Sequence, residues 1–306
     1  MSQPRIVVFA YSDLGHACLK FLLDRHENVR AVFTHEDAAG EQIWFPSVKK
    51  LAEENDVPVF TPPDLSSEDT ARQITTMAPE LVFSFYYRHL IPTNILRLAP
   101  LGAYNMHGSL LPKFRGRAPV NWAVLKGEKE TGATLHVMTE RADAGDIVDQ
   151  QAVPIGPDES AAEVQAKVTA AAVTVLDRQI DLLKGGRARK TPQDDARATK
   201  FGRRRPEDGE IRWDGPARDV HNLVRAVTHP YPGAYTKVGG RKILIWRTRL
   251  ADAAPAGSKP GDMSFAGGRL LAAAGDGKAV EILRAQIDGE PETDGADIAR
   301  KIFQKK

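Results

Sequence analysis

The sequence predicts an α/β domain with a mostly parallel sheet, succeeded by a smaller β-rich domain of the five-stranded, OB-like barrel kind. Three observations carry that reading. Short β-branched runs alternate with helical patterns through the first part of the chain. One long amphipathic stretch then ends at a glycine pair. Beyond a polar segment, the remaining chain is a series of short strands with glycine-rich turns.

In order, Ile6–Ala10, Val29–Thr34, Val57–Phe60 and Leu81–Phe85 are strand candidates, and Leu14–Leu23, Ser47–Glu54 and Ser67–Met77 between them are helical. Such alternation needs crossover helices and places a ligand beyond the carboxyl ends of the strands. Gly15 alone makes no dinucleotide fingerprint, since Tyr11, Asp13 and Cys18 stand where further glycines would be required. Strand-like runs recur at Gly102–Asn105, Ala133–Met138 and Ile147–Val153. The spacing of Ala162, Val164, Val168, Ala171, Val175, Ile180 and Leu183 predicts one helix over Glu159–Leu183, with Gly185-Gly186 as its C-cap. Residues 1–187 are therefore expected as the first domain, 188–208 as an apolar-poor linker and 209–306 as the second domain. In the latter, Ala234–Val238, Lys242–Arg247, Arg269–Ala274 and Ala279–Ile287 are strand candidates, with turns at Gly239-Gly240 and Asp276-Gly277.

Composition narrows the function classes. The chain of 306 residues is 42% hydrophobic and 27% charged, which excludes disordered and fibrous readings. No apolar run nears the roughly 18 residues that span a bilayer. The opening Met1–Arg5 runs into a strand rather than a secretory leader. With 42 basic and 40 acidic residues the net charge is +2, and the basic excess of five over residues 201–306 is dispersed, so nothing global argues for nucleic acid. Cys18 is the only cysteine and is expected to be buried and inert, which excludes disulfides and cysteine zinc sites and fits a reducing cytoplasm.

Chemistry-bearing residues concentrate between Asn105 and Asp143. Asn105 and His107, two apart on a strand end, share one face. There an amide N–H could bind a developing oxyanion while the imidazole moves protons; the alternative is a strand-end cap beside a core histidine. A carboxylate from the polar loop Thr139–Ile147 would favour the imidazolium form of His107. Asp143 and Asp146 both qualify by type, and both could equally be turn formers. Ser109 lacks a nucleophile elbow, no HExxH occurs, and His89, His107 and His136 are too irregularly spaced for a metal motif, so no metal is expected.

Three segments carry a family resemblance: Phe83–Ile91 (FSFYYRHLI), Asn105–Pro119 (NMHGSLLPKFRGRAP) and Arg141–Gly145 (RADAG). They resemble the formyltransferases that use 10-formyltetrahydrofolate. Within that superfamily, Val8–Tyr11, the FSFYYRHLI stretch and Phe201–Arg204 are most similar to the formyltransferase portion of the bifunctional polymyxin-resistance proteins. The resemblance spans essentially the whole chain. It implies a Rossmann-like formyltransferase fold with a carboxyl-terminal barrel, and 10-formyltetrahydrofolate as formyl donor without a metal. As acceptor it implies the amine of a nucleotide-linked amino sugar, first UDP-4-amino-4-deoxy-L-arabinose, in lipid A modification. By position, Asn105 matches the transition-state stabiliser, His107 the general acid/base and Asp143 the carboxylate that favours its protonation. His89, Leu90, Ile91 and Arg117, with Thr139, Glu140, Arg141, Ala142 and Asp143, match the folate-contacting segments. The sequence ends at Lys306, so a decarboxylating dehydrogenase half is expected elsewhere.

The competing reading is methionyl-tRNA formyltransferase, whose loop after the second strand is basic. Here His35–Pro46 holds three acids and no Lys or Arg, an unfavourable surface for phosphates. A silent sugar-nucleotide or folate-binding module would lose the Asn, His or Asp, and all three are present. Trp44, Trp122, Trp213 and Trp246 read as packing mass, with Trp44-Phe45 alternatively closing over a sugar or base.

Overall fold

Continuous apolar runs become the inner strands of a sheet. A computed structural model of the chain describes residues 3–37 and 43–303; residues 38–42 of the acidic loop lie outside the described residues. The chain divides into two units. The first comprises Met1–Pro119, Glu130–Val153 and Gln165–Gly202; the second comprises Val120–Lys129, Pro154–Val164 and Arg203–Lys306.

The first unit contains β1 (Ile6–Ala10), α1 (Ser12–Asp24), β2 (Val29–Phe33), α2 (Val48–Glu53), β3 (Val59–Phe60), α3 (Glu68–Thr76), β4 (Leu81–Phe85), α4 (Thr93–Leu96), β5 (Ala103–His107) and β6 (Arg115–Gly116). Continuing along the chain are β7 (Glu130–Val137), β8 (Ile147–Pro154), α6 (Ala161–Lys184, from Gln165 in this unit) and β9 (Lys200–Phe201), whereas the intervening α5 (Pro119–Leu125) belongs from Val120 to the second unit. Seven strands form one sheet in the order β3-β2-β1-β4-β5-β7-β8. The pairs from β3 to β5 are parallel, and β7 joins β5 antiparallel. All residues of β1 and β4 are buried, as the centre of a parallel sheet requires. One face packs Val7, Phe9, Phe33, Ile74, Val82 and Ile95 into a core, each such side chain worth about 1.5–3 kcal/mol when fully buried.

Helices α2 and α3 start where Ser47 and Ser67 accept N–H bonds from Lys50 and Thr70, the local reason for those boundaries. The chain runs outward from β1 to β3 and returns on the other side at β4, so the crevice opens at the β1/β4 ends. Gly15 has a packing role there: a Cβ would stand 2.8 Å from the Phe85 carbonyl oxygen, so glycine lets α1 lie close on those strands. Cys18 is fully buried on α1, and burial pushes its thiol up.

The stretch 188–208, expected as a linker, is bonded structure over much of its length. Thr191 bridges Ile147, β9 pairs in parallel with β6, and Pro206–Gly209 forms a 3-10 turn. Its polar residues are ordered by hydrogen bonds rather than apolar burial, which is why hydropathy reads it as a tether.

In the second unit, α7 (Ala217–Val227) precedes β10 (Ala234–Val238), β11 (Arg241–Ala251), β12 (Met263–Ala266), β13 (Arg269–Ala273), β14 (Ala279–Ile287), β15 (Thr293–Asp294) and α8 (Gly295–Phe303). The antiparallel sheet runs β10-β11-β14-β13-β12, with β15 also on β14. Helix α7 buries polar residues, which hides it from an apolar-periodicity search. The buried Arg225 bonds Val124, Gly156 and Glu159 carbonyls, and Asn121 donates to the Ala226 carbonyl at 2.8 Å. Those bonds gather residues 120–129 and 154–164 into this unit. Trp213 donates to Thr236, and Trp246 is buried beneath His229 with its N–H on Gln286, both as packing residues.

Candidate active site

Antiparallel pairing of β5 with β7 sets Asn105 opposite His136 and His107 opposite Thr134, so four polar side chains share one face. Asn105 Nδ2 lies 3.0 Å from His136 Nε2. His136 Nδ1 meets the Val137 carbonyl at 2.9 Å and so carries a proton, which leaves Nε2 of the neutral ring to accept from Asn105. One amide hydrogen of Asn105 is thereby used and its second is available to an incoming oxygen.

His107 is 5% exposed. Its Nε2 donates to the Phe114 carbonyl at 2.8 Å, so Nδ1 is the nitrogen at which this ring gains or loses a proton. Nδ1 faces Asp143 Oδ1 at 3.6 Å, and the same oxygen lies 3.6 Å from His136 Nε2. Neither separation is a hydrogen bond, and each is an ion pair only when its imidazole is protonated. Asp143 Oδ2 does accept a bond, from the Gly116 N–H at 2.9 Å. Burial by itself would raise the Asp143 carboxyl, but the two imidazoles and the Gly116 N–H outweigh it and hold the group well below the usual carboxylate range. Asp143 is thus a carboxylate across the working pH range.

The loop that delivers Asp143 leaves β7 at the end away from His107, because β7 runs against β5, and folds back over the shared face. Asp143 takes φ +55° there, a conformation that aspartate tolerates better than most residues. Ser12, Tyr86, Phe114 and Ala118 also have positive φ, between 50° and 65°, each costing about 1–3 kcal/mol. The signature loop after His107 is held by Thr134, which donates to the Ser109 carbonyl and accepts from the Leu111 N–H, while Ser109 donates to Lys113. A Cβ on Gly108 would collide with the Tyr86 hydroxyl, and one on Gly116 with the Phe201 carbonyl, so both glycines permit close approach.

The family model described as formyl transferase matches residues 4–180, and that of the formyl transferase C-terminal domain matches residues 203–302. The chain belongs to the formyl transferase family. This formyltransferase is also similar to solved structures, at identities that bear on the fold alone. One is WlaRD, a sugar 3N-formyl transferase in the presence of dTDP and 5-N-formyl-THF: 18% identity, 95% of this chain and 100% of that one, TM-score 0.70. Another is the N-formyltransferase from Helicobacter canadensis in complex with folinic acid and dTDP-3-aminofucose: 17% identity, 92% and 99% coverage, TM-score 0.71. A third is a 4-N formyltransferase from Francisella tularensis: 23% identity, 78% and 95% coverage, TM-score 0.63.

Of the residues expected at the site, Asn105, His107 and Asp143 stand together, while Asp146 gives its carbonyl to the Val137 N–H. Arg117 donates to the Arg88 carbonyl at 2.7 Å, tying it to the exposed His89-Leu90 segment, and Ile91 packs against the core. Thr139, Glu140, Arg141 and Ala142 are exposed on the approach to Asp143. Sequence reasoning weighs His136 only as a metal ligand; its odd-even match with Asn105 across the strand pair is the signal for its position. Among the described residues no group of three or more His, Cys, Asp or Glu is arranged to hold a metal ion. His35 is a second addition: its Nε2 accepts the Arg88 N–H at 3.0 Å and its ring stacks on Tyr87, which supports the 88–89 backbone. Trp44, partly exposed, meets Phe45 edge-on, and Phe45 in turn meets Tyr11.

Proposed function

We propose that this formyltransferase moves the formyl group of 10-formyltetrahydrofolate to the primary amine of a nucleotide-linked amino sugar. UDP-4-amino-4-deoxy-L-arabinose is the first candidate acceptor. The observation that carries the reading is the Asn105–His107–Asp143 cluster, with His107 buried and the other two partly so, together with the FSFYYRHLI resemblance. Attack of a neutral amine on the formyl carbon puts negative charge on the formyl oxygen and a proton to be removed on the nitrogen. The second amide hydrogen of Asn105 stabilises that oxygen, and donors of this type are worth about 3–4 kcal/mol. Nδ1 of His107 takes the proton from the attacking nitrogen and returns it to N10 of the folate as the formyl C–N10 bond breaks, releasing tetrahydrofolate and the formamide, with the Asp143 carboxylate favouring the charged ring. The exposed segments His89–Ile91 and Thr139–Ala142, with Arg117, bind the folate.

The solved relatives support the acceptor class: one complex holds dTDP-3-aminofucose, and another protein is a 4-N formyltransferase. Lipid A modification and a cytoplasmic setting follow from the same resemblance; among the described residues no helix is long and apolar enough to cross a membrane. The test is a formyl-transfer assay with 10-formyltetrahydrofolate against a panel of UDP- and dTDP-linked 3- and 4-amino sugars and methionyl-tRNA. Product is expected from a UDP-linked 4-amino sugar and none from the tRNA. Salt-sensitive formylation of methionyl-tRNA, with no sugar product, overturns the reading.

A further inference from the structure

Asp143 works only if a surface loop with a left-handed residue keeps its carboxylate beside two histidines, and the loop's own contacts show what keeps it there. Gln193 lies in the polar stretch beyond α6. Its Nε2 donates to the carbonyls of Asp143 at 2.9 Å and Gly145 at 2.7 Å. Its Oε1 accepts from Arg115 Nε at 3.1 Å and Nη2 at 2.7 Å. Both amide hydrogens and the carbonyl oxygen are therefore engaged, with a guanidinium on a residue only 7% exposed. Arg115 stands next to Gly116, whose N–H binds the Asp143 carboxylate. The two residues of β6 thus hold Asp143 twice: its side chain through Gly116, and its backbone through Arg115 and Gln193.

We propose that Gln193 is a positioning residue for formyl transfer, its side-chain amide clamping the Asp143–Gly145 turn so that the carboxylate faces His107 and His136. This rests on the reading of Asp143 as the partner of His107. Without the two donors, the Asp143 and Gly145 carbonyls, which converge on one nitrogen, lose their shared partner and the turn opens toward water. The carboxylate then loses its place beside Nδ1 of His107, whereas the His89–Ile91 segment and Arg117 are unchanged and only the adjoining Thr139–Ala142 segment is loosened. The clamp therefore acts on turnover more than on donor binding.

The test uses Gln193→Met, close in size and without donors, in the full chain. Turnover is measured with the amino-sugar nucleotide from the panel that is turned over, and hydrogen exchange of the Gly116 amide by NMR serves as a readout independent of acceptor. The expected result is kcat lowered about tenfold, KM for 10-formyltetrahydrofolate within about twofold, a cooperative thermal transition, and faster exchange at Gly116. Unchanged kcat in the folded variant, or a Gly116 amide as protected as in the wild type, overturns the proposal. Should Gln193→Met fail to fold, Gln193→Glu keeps an acceptor for Arg115 while removing both donors, and the same readouts decide. Asp143→Asn separates the two levels. If it retains wild-type kcat, the catalytic reading and the clamp fall together; if it loses kcat while Gln193→Met does not, the clamp alone falls.

Discussion

Two regions of the first unit differ in how they hold the residues proposed to act in catalysis and in folate binding. On the β5/β7 face, Asn105, His107 and His136 come from paired strands, are fixed by backbone carbonyls and strand pairing, and are half to fully buried. The His89–Ile91 segment and Thr139–Ala142 are largely exposed, with Leu90 at 73%. Groups that must meet developing charge within a fraction of an ångström sit on rigid strands, whereas groups that cover a ligand by area sit on loops. Substitutions in the first region should therefore act on turnover, and those in the second on KM.

The sharpest way to break that division is His107→Ala or Asn105→Ala. Each is expected to lower kcat at least about a hundredfold, roughly 2.7 kcal/mol of transition-state stabilisation, with a native circular dichroism spectrum. Near-normal turnover in well-folded variants would remove the catalytic assignment. Next comes Asp143→Asn, which keeps shape but removes charge. A loss of about ten- to a hundredfold in kcat with little change in KM is expected, measured by steady-state kinetics in both substrates.

The same carboxylate sharpens the comparison through stability. Its folded-state affinity for protons is depressed relative to an unfolded value near about 3.9, so its contribution is fully present above that pH and fades as pH falls through the lower folded value. In urea unfolding, the stability difference between wild type and Asp143→Asn should be fully present at about pH 5 and shrink below about pH 4. A gap that widens below about pH 4 would show that the sign of the coupling is wrong. The smallest effect is expected from Leu90→Ala: KM for 10-formyltetrahydrofolate up about two- to fivefold, kcat and the thermal midpoint unchanged. A kcat effect larger than the KM effect would merge the two regions.

Much of the fold was legible because hydrophobic period and caps are local. The strands at Ile6, Val29 and Leu81, the serine-capped starts near Ser47 and Ser67, and the long helix ending before Gly185 depend on neighbours within a few residues. Helix α7 was not legible, since His221, Asn222 and Arg225 occupy its buried side and their partners are distant carbonyls such as Pro157 and Val124. The stretch around Gln193 read as a tether for the same reason: its order comes from hydrogen bonds to residues about fifty and eighty positions away.

At the site, the sequence by itself determined the candidate side chains, Asn105 and His107 on one face of a strand and two carboxylates in one loop, because strand parity is a property of the chain. Residue types left Asp143 and Asp146 open and the family resemblance picked Asp143; the tertiary structure set that carboxylate 3.6 Å from both imidazoles, added His136 through the antiparallel register of β7, and tied Asp143 to Gly116 and Gln193. Register and loop return are set by contacts between segments far apart in sequence, and no local pattern of residues carries that information.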